Sequence, residues 1–374
     1  VHPQRFAETT MSRTTTNAEA GPRRGLFLER VPWRTIILAS LGAVLILGVI
    51  LGTMATLQEG RFTGANWTRL VVGGVSRGSV YAIIAVGYTL VYGILFLINF
   101  AHGEVFMAGA FSTLFVAQAL DEAGMLDGSP ILSIGILFAS SMLISMLVAI
   151  LLERVAYRPL RGAPRLILLI TAIGASLFLQ NSFRGFFGAS STAYPTIDIL
   201  EGRTTVLGVP FLRAQLIVIV GAVVLMVGLY LFIERTKTGR AMRAVGEDKE
   251  IAALMGIDVD RVIVTTFAIG GLLAGAAGIL FVFVFNQVNY FMGFVPGIKA
   301  FTAAVLGGIG NVLGAGIGGI ALGILESVGP RLFLTGAGVA SPDQLQPVVA
   351  FGILVLVLIF RPGGILGAEE ERRA

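Results

Sequence analysis

The chain has 374 residues, of which 55% are hydrophobic and only 13% are charged. A soluble domain carries roughly 25% charged residues, so too few charges are present to cover a water-facing surface, and an integral membrane protein is indicated. The absence of cysteine excludes disulfides, thiolate metal sites and a cysteine nucleophile. The net charge of +5 does not point to nucleic acid, because the basic residues gather in loops beside apolar segments.

The first 34 residues are polar, rich in threonine and basic toward their end. Such a composition buries little apolar surface, so residues 1–34 are predicted to form a mostly disordered cytoplasmic tail. The next stretch, Thr35–Leu57, is apolar and long enough to span a bilayer. A secretory signal peptide is the alternative, but no clear small-residue cleavage site follows, so a permanent extra span is favoured.

Further apolar segments are candidate transmembrane helices of about 20 residues each. These are Leu70–Leu97, Val105–Leu120, Ile131–Leu152, Leu166–Phe183, Ala214–Ile233, Val262–Phe285 and Leu345–Phe360. The tract Gly297–Val328 is too rich in glycine for one straight helix, and it predicts two shorter helices that meet near Gly307–Gly316. The fold class is therefore predicted as an all-α polytopic membrane protein with eight to ten transmembrane or re-entrant helices and glycine-broken hairpins.

Basic residues predict which side of the membrane each loop occupies. Residues 153–165 carry four arginines and residues 234–261 carry six basic residues, so both loops are predicted to be cytoplasmic. Residues 121–130 hold three acids and no base, and residues 286–296 hold no charge, so both are predicted to be external. Residues 184–213 are mixed in charge and fall on the external side by alternation.

Alternation between the two sides requires two hairpins. The chain must descend and return between Leu70 and Leu120, and again within Gly297–Val328. Residues 365–374 then form a second cytoplasmic tail, so both termini are predicted to be cytoplasmic.

The stretch LINFAHGEVF, residues 97–106 and here called the polar island, places Asn99, His102 and Glu104 inside an apolar tract. One interpretation is a turn at the membrane surface, in which Asn99 caps a helix, Gly103 allows the bend and Glu104 lies in the first turn of the next helix. The other is a helix break within the membrane whose polar groups line a path. Both remain open, and the predicted position near the cytoplasmic end favours the turn.

Hydroxyl groups punctuate the predicted spans, and Tyr81 and Tyr88 lie on the first arm of the first hairpin. Such groups more often bond their own helix or a neighbouring helix than a solute. The two tyrosines are therefore secondary candidates for a polar path.

The basic loop 234–261 contains a short amphipathic segment, residues 247–256, here called the docking segment. Two acids open it and a glycine closes it, as expected at the two ends of a helix. A face of small residues is predicted to be exposed and to dock into a groove of another protein; the alternative is a helix lying on lipid headgroups. The residues expected at the contact are Glu247, Asp248, Ala252, Ala253 and Gly256.

The sequence encodes no motor of its own. It has no glycine-rich phosphate loop ending in Lys-Ser or Lys-Thr, and no metal-ligand cluster. We therefore expect no cofactor and no metal on this chain, and energy for any active process must come from a partner or an ion gradient.

Three collinear motifs carry a family resemblance. Residues 78–111, GSVYAIIAVGYTLVYGILFLINFAHGEVFMAGAF, look like the N-terminal signature of the branched-chain amino-acid ABC transporter permeases. Residues 239–280 resemble that family's coupling-helix region, and FTAAVLGGIGNVLGAGIGG, residues 301–319, is similar to its C-terminal signature. The resemblance covers residues 70–364, with Thr35–Leu57 as an extension of the usual core.

The resemblance implies a non-catalytic subunit in a bacterial cytoplasmic membrane, importing branched-chain or related aliphatic amino acids. The implied partners are a second permease, usually in a heterodimer, two cytoplasmic ATPase subunits that bind the ATP, and an external solute-binding protein. It also implies that the docking segment seats in an ATPase groove. Candidates for the translocation pathway are Tyr81, Tyr88, Asn99, His102, Glu104 and Asn311.

Three alternatives stay open. Urea and short-chain amide permeases share close variants of all three motifs. A proton-coupled secondary transporter would use His102 and Glu104 as a relay, although the sequence offers one acid–imidazole pair and no continuing chain. A passive channel would need no partner.

Overall fold

The computed structural model describes residues 33–60, 62–206, 208–361 and 363–367. The predicted tail 1–34 lies almost entirely outside the described residues, as does most of the tail 365–374. The described residues from 49 onward form one compact unit, which holds every site discussed below. Residues 33–48 belong to a separate unit and form the first part of a helix.

Helices make up most of the described chain. They are α1 (Trp33–Gln58), α2 (Gly64–Leu95), α3 (His102–Glu122), α4 (Met125–Gly128), α5 (Pro130–Leu152), α6 (Arg165–Phe187), α7 (Arg213–Arg235), α8 (Lys237–Glu247), α9 (Lys249–Leu254), α10 (Val259–Phe285), α11 (Phe294–Gly307), α12 (Val312–Leu334) and α13 (Gln346–Phe360). Within the described ranges, nine helices are long and apolar enough to cross a membrane, and α11 is a shorter apolar helix. The predicted fold class is confirmed.

In the described part of the chain, four short strands lie in the loops, and they were not predicted. They are β1 (Thr192–Ala193), β2 (Arg203–Val206), β3 (Val209–Leu212) and β4 (Gln287–Val288). Strands β2 and β3 form an antiparallel hairpin, and β1 pairs antiparallel with β4 with Thr192 opposite Val288. The second pairing joins the loops 184–213 and 286–296, so both lie on the same side of the bundle, as the alternation required.

At the centre of the bundle α2 and α12 run antiparallel, and glycines allow their backbones to approach closely. A Cβ at Gly74 would lie 2.8 Å from Ile324 Cα, and one at Gly78 would lie 2.8 Å from both Gly319 O and Ile320 Cα. Small residues four apart let two helix backbones touch, which is a common way to pack helices in a membrane.

Serine hydroxyls tie the helices α3, α5 and α10 together. Ser141 Oγ of α5 donates to Gly275 O of α10 at 2.7 Å, and Ser145 Oγ donates to Val105 O of α3 at 2.9 Å. These serines bond neighbouring helices, as expected for hydroxyls in spans. Large apolar side chains of α5, α6, α7 and α13 point outward, where a lipid-facing surface is expected.

The glycine-rich tract is broken near the predicted point, but only its first helix is short, since α11 has 14 residues and α12 has 23. Helix α11 ends at Gly307, and the turn uses Gly308 and Gly310 at φ +106° and +98°, a region that L-residues rarely occupy. Asn311 then caps α12, since its Oδ1 accepts from Gly314 N at 3.0 Å.

Candidate translocation site and docking segment

The polar island breaks the helix deep inside the bundle. His102 lies against Gly87 of α2, where an added Cβ would be 2.5 Å from His102 Nε2, and against Gly270, which is near the middle of α10. Helix α3 therefore begins about half-way along α10. His102 is only 2% exposed, so protein encloses the imidazole, which favours the second interpretation of the island, a helix break lined by polar groups.

The three polar side chains of the island are buried, and only some of their polar atoms have hydrogen-bond partners in the described structure. Glu104 Oε1 accepts from Gln180 Nε2 at 2.6 Å and from Ser176 Oγ at 3.3 Å, both on α6. Within the described part of the chain, Glu104 Oε2 and His102 Nε2 have no hydrogen-bond partner. Tyr88 packs edge-on against the imidazole at 4.9 Å between ring centroids. Unpaired buried polar atoms cost free energy, so packing alone does not explain this cluster.

A second helix starts at the same depth. An added Cβ at Gly103 would lie 2.5 Å from Gly293 O and 3.2 Å from Gly297 Cα, so the N-terminal ends of α3 and α11 meet inside the bundle. The positive dipole ends of both helices lie beside Glu104, since an added Cβ at Gly293 would be 2.9 Å from Glu104 Oε2. These dipoles offset part of the cost of burying a carboxylate at this point.

Asn99 does not cap a helix, contrary to the turn interpretation. Its Oδ1 accepts a hydrogen bond of 2.6 Å from the hydroxyl of Tyr157, and both side chains are buried. Tyr157 ends a π-helical turn, Glu153–Tyr157, that extends α5 into the loop 153–165. Turns of this type often occur at functional sites. Sequence analysis missed Tyr157, because the loop was assigned only by its charge.

Removing the Tyr157 hydroxyl should destabilise the island, although it deletes only one heavy atom and leaves the ring in place. We expect Tyr157→Phe to lower the free energy of unfolding by about 1–3 kcal/mol, since it leaves Asn99 Oδ1 buried and unpaired. Thermal unfolding of the detergent-solubilised chain measures this change. Tyr230→Phe, at an exposed position of α7, is the control; equal midpoints for both variants would contradict the assigned hydrogen bond.

A buried ion pair, which sequence analysis missed, lies in the second hairpin. Lys299 Nζ of α11 pairs with Glu326 Oε1 of α12. The ammonium also lies 3.5 Å from the Tyr81 hydroxyl and 5.6 Å from its ring centroid. Two opposite charges inside the tract Gly297–Val328 were a signal in the sequence, since charges within a span are rare and usually paired.

The six pathway candidates do not form one site. Tyr88, His102 and Glu104 cluster around the two helix breaks, with Asn99 just before them, whereas Tyr81 belongs with the Lys299–Glu326 pair. Asn311 caps α12 and donates to Leu366 O at 2.9 Å, so it serves the turn between α11 and α12.

The docking segment is helical, but it begins later than predicted. Glu247 is the last residue of α8, and Asp248 caps α9 by accepting from the backbone N–H of Glu250 and Ile251 at 2.8 and 2.9 Å. Gly256 ends the segment at φ +82°, as its sequence predicts. The small exposed face was predicted wrongly in part, because Ala252 is 3% exposed and packs inward.

Its outer face is more apolar than predicted. Leu254 and Met255 are 87% and 78% exposed, and Ile251 and Ala253 are also exposed. The sequence-based prediction placed only small residues on the exposed face and did not include these large side chains.

The docking segment and Gly246, directly before it, lie close to the C-terminal end of α2, the first arm of the first hairpin. An added Cβ at Gly246 would be 2.9 Å from Gly93 O, and Lys249 Nζ lies 6.0 Å from the ring centroid of Phe96. Burial, together with the charge of Arg161, lowers the pKa of Lys249. A displacement of this segment would therefore change its contacts with the end of α2.

Ion pairs connect the same region to the π-helical turn. Arg161 pairs with both Glu153 and Asp260, and Arg158 pairs with Asp260 at 3.0 Å. Asp260 lies in the first turn of α10, directly after the docking segment. The pairs thus tie the start of α10 to the turn that holds Tyr157.

Comparison with known proteins decides the family. Residues 70–358 match the family described as branched-chain amino acid transport system / permease component. The chain belongs to this family. It is 44% identical to the high-affinity branched-chain amino acid transport system permease protein BraD of Pseudomonas aeruginosa over 82% of this chain and 98% of that protein.

More distant relatives carry related names. The high-affinity branched-chain amino acid transport system permease protein LivH of Escherichia coli is 41% identical over 80% of this chain and 95% of its own length. A probable branched-chain amino acid transport permease protein LivH of Methanocaldococcus jannaschii is 26% identical over 81% and 93%. The family resemblance found in the three motifs is confirmed, and both polar clusters and the docking segment lie within the matched residues.

Proposed function

We propose that this permease is the transmembrane subunit of an ATP-driven importer for branched-chain or related aliphatic amino acids. Its expected location is the bacterial cytoplasmic membrane, with both termini on the cytoplasmic side. The proposed partners are a second homologous permease, two cytoplasmic ATPase subunits and an external solute-binding protein. The observation that carries the proposal is the exposed apolar face of the docking segment on a permease that has no phosphate loop.

That face favours a protein groove as its partner. Leu254 ends α9, which Asp248 caps, and Met255 follows it directly, so two large apolar side chains are exposed without a partner in the described structure. Such anchors suit a helix-in-groove contact. A lipid surface is less suitable, because the segment has acids at its start and lacks aromatic residues.

Contacts between the docking segment and the island offer a route for coupling. Gly246, at the end of α8, and Lys249, at the start of α9, both contact the end of α2. Asp260, at the start of α10, pairs with Arg161, which pairs with Glu153 of the π-helical turn. The Tyr157 hydroxyl then bonds Asn99, next to the break that holds His102 and Glu104. Transport needs only that the two states of the bundle differ in their affinity for the solute, and a chain of rigid contacts can bias that equilibrium.

Copurification and uptake test the proposal together. The tagged chain, extracted from its host, should bring down two phosphate-loop ATPases and a second permease. The reconstituted assembly should take up leucine only with ATP inside and solute-binding protein outside. Uptake of urea or an uncharged amide in place of leucine, conduction without partners, or pH-driven uptake by the chain alone would contradict it.

A further inference from the structure

The Lys299–Glu326 pair is sealed inside the bundle yet is not fully satisfied. Lys299 is 8% exposed and Glu326 is 1% exposed. Glu326 Oε2 is buried and has no hydrogen-bond partner in the described ranges. The ammonium meets one carboxylate oxygen and the Tyr81 hydroxyl at 3.5 Å, so the cluster holds a spare acceptor.

Helix packing does not need these charges. Apolar residues of similar volume often replace a buried ion pair at no loss of stability, because desolvation offsets the Coulomb attraction. The neighbouring contacts between α2 and α12 already rest on glycines, Gly74 and Gly78 among them. Charges within a span point to function by default.

The pair joins a short helix to a long one. Helix α11 has 14 residues, it starts at the inner break beside Gly103, and it ends at the glycine turn of Gly308. Helix α12 has 23 residues and packs along α2. Glycines bound α11 at both ends, Gly293 before it and Gly308 after it. Opening the pair requires α11 to shift against α12, and this shift is part of the proposal made below.

When the pair is open, its two opposite charges complement a ligand that carries one negative and one positive group. We infer that Lys299 and Glu326 recognise the head group of a zwitterionic α-amino acid, the ammonium of Lys299 binding its carboxylate and Glu326 binding its ammonium. This inference rests on the proposed function. Paired charges of opposite sign satisfy both ends of a zwitterion by charge-assisted hydrogen bonds.

The same arrangement excludes neutral solutes and seals the empty protein. Urea or an uncharged amide cannot compensate two separated charges in a low-dielectric interior, so it leaves the pair closed. When the amino acid leaves, Lys299 and Glu326 bind each other again, and no lone charge remains in the bundle.

Two double variants distinguish recognition of the solute from a purely structural role, in which the pair only holds α11 against α12. The full importer with its partners is reconstituted with K299M/E326M, in which the pair becomes apolar, or with K299E/E326K, in which the charges exchange places. Size-exclusion elution and ATPase copurification report assembly. The maximal rate of leucine uptake should fall at least about tenfold in both variants, while the concentration of loaded binding protein at half-maximal rate stays unchanged.

The change in thermal midpoint on adding solute is a measurement that a purely structural role of the pair would not affect. Leucine should raise the thermal midpoint of the wild-type importer but not of either variant, and the uncharged analogue isocaproamide should protect none of them. Uptake within twofold of wild type in an assembled variant would overturn the inference, because pairing or packing alone would then suffice. If the apolar variant fails to assemble, the exchanged pair decides. Failure of the wild-type importer to take up leucine would instead contradict the proposed function.

Discussion

Replacing Gly78 by leucine should abolish the folded bundle. A Cβ at this position would lie 2.8 Å from Gly319 O and Ile320 Cα, closer than the 3.0 Å below which something must shift, and these are backbone atoms of α12. Overpacking a core commonly costs about 1–3 kcal/mol, and a clash with backbone lies at the upper end or above. Because α2 and α12 form the centre of the unit, we expect at least about 3 kcal/mol of destabilisation.

Size-exclusion chromatography of the extracted chain measures this loss as aggregation. The matched control is Gly135→Leu on α5, where no atom lies within 4 Å of an added Cβ and the position is exposed. A monodisperse Gly78→Leu protein with the same thermal midpoint as the control would contradict the close packing of α2 and α12.

Ala253→Arg should stop uptake and leave the bundle folded. The side chain lies on the exposed face of the docking segment beside Leu254. An arginine there puts a charge and about six more heavy atoms into the proposed apolar contact, and an unpaired buried charge is expensive. We expect at least a tenfold drop both in uptake and in the amount of ATPase recovered with the chain.

The thermal midpoint should not change, since Ala253 is exposed. Ala123→Arg is the matched control for ATPase recovery, because Ala123 is an exposed alanine in the loop 121–130, which its charge pattern predicts to be external. Full uptake by the Ala253→Arg importer would exclude the docking segment as the ATPase contact.

Patterns along the chain predict the spans and the broken second hairpin, because apolar length and glycine content are local properties. The depth of the first break is not local. It follows from the missing side chains of Gly87 and Gly270, which make room for His102 beside the middle of α10. The predicted turn placed His102 at the surface, since nothing in the polar island itself records those distant glycines.

Partners of polar groups were the least predictable feature. Asn99 pairs with Tyr157, 58 residues away, and Lys299 pairs with Glu326, 27 residues away. Such pairs form when helices pack, so a single sequence shows only that a buried polar group needs some partner. In the docking segment the caps were predictable, whereas the inward turn of Ala252 depends on how α9 lies against the bundle.

Cysteine labelling tests the central claim, that separate cytoplasmic ATPases drive this permease through the docking segment. The chain has no cysteine, so Ala253→Cys creates one target for a membrane-impermeant maleimide. In membrane vesicles stripped of the ATPases, we expect labelling from the cytoplasmic face alone and at least tenfold protection once purified ATPase subunits are added back. Labelling from the external face, or labelling that the ATPases leave unchanged, would contradict it.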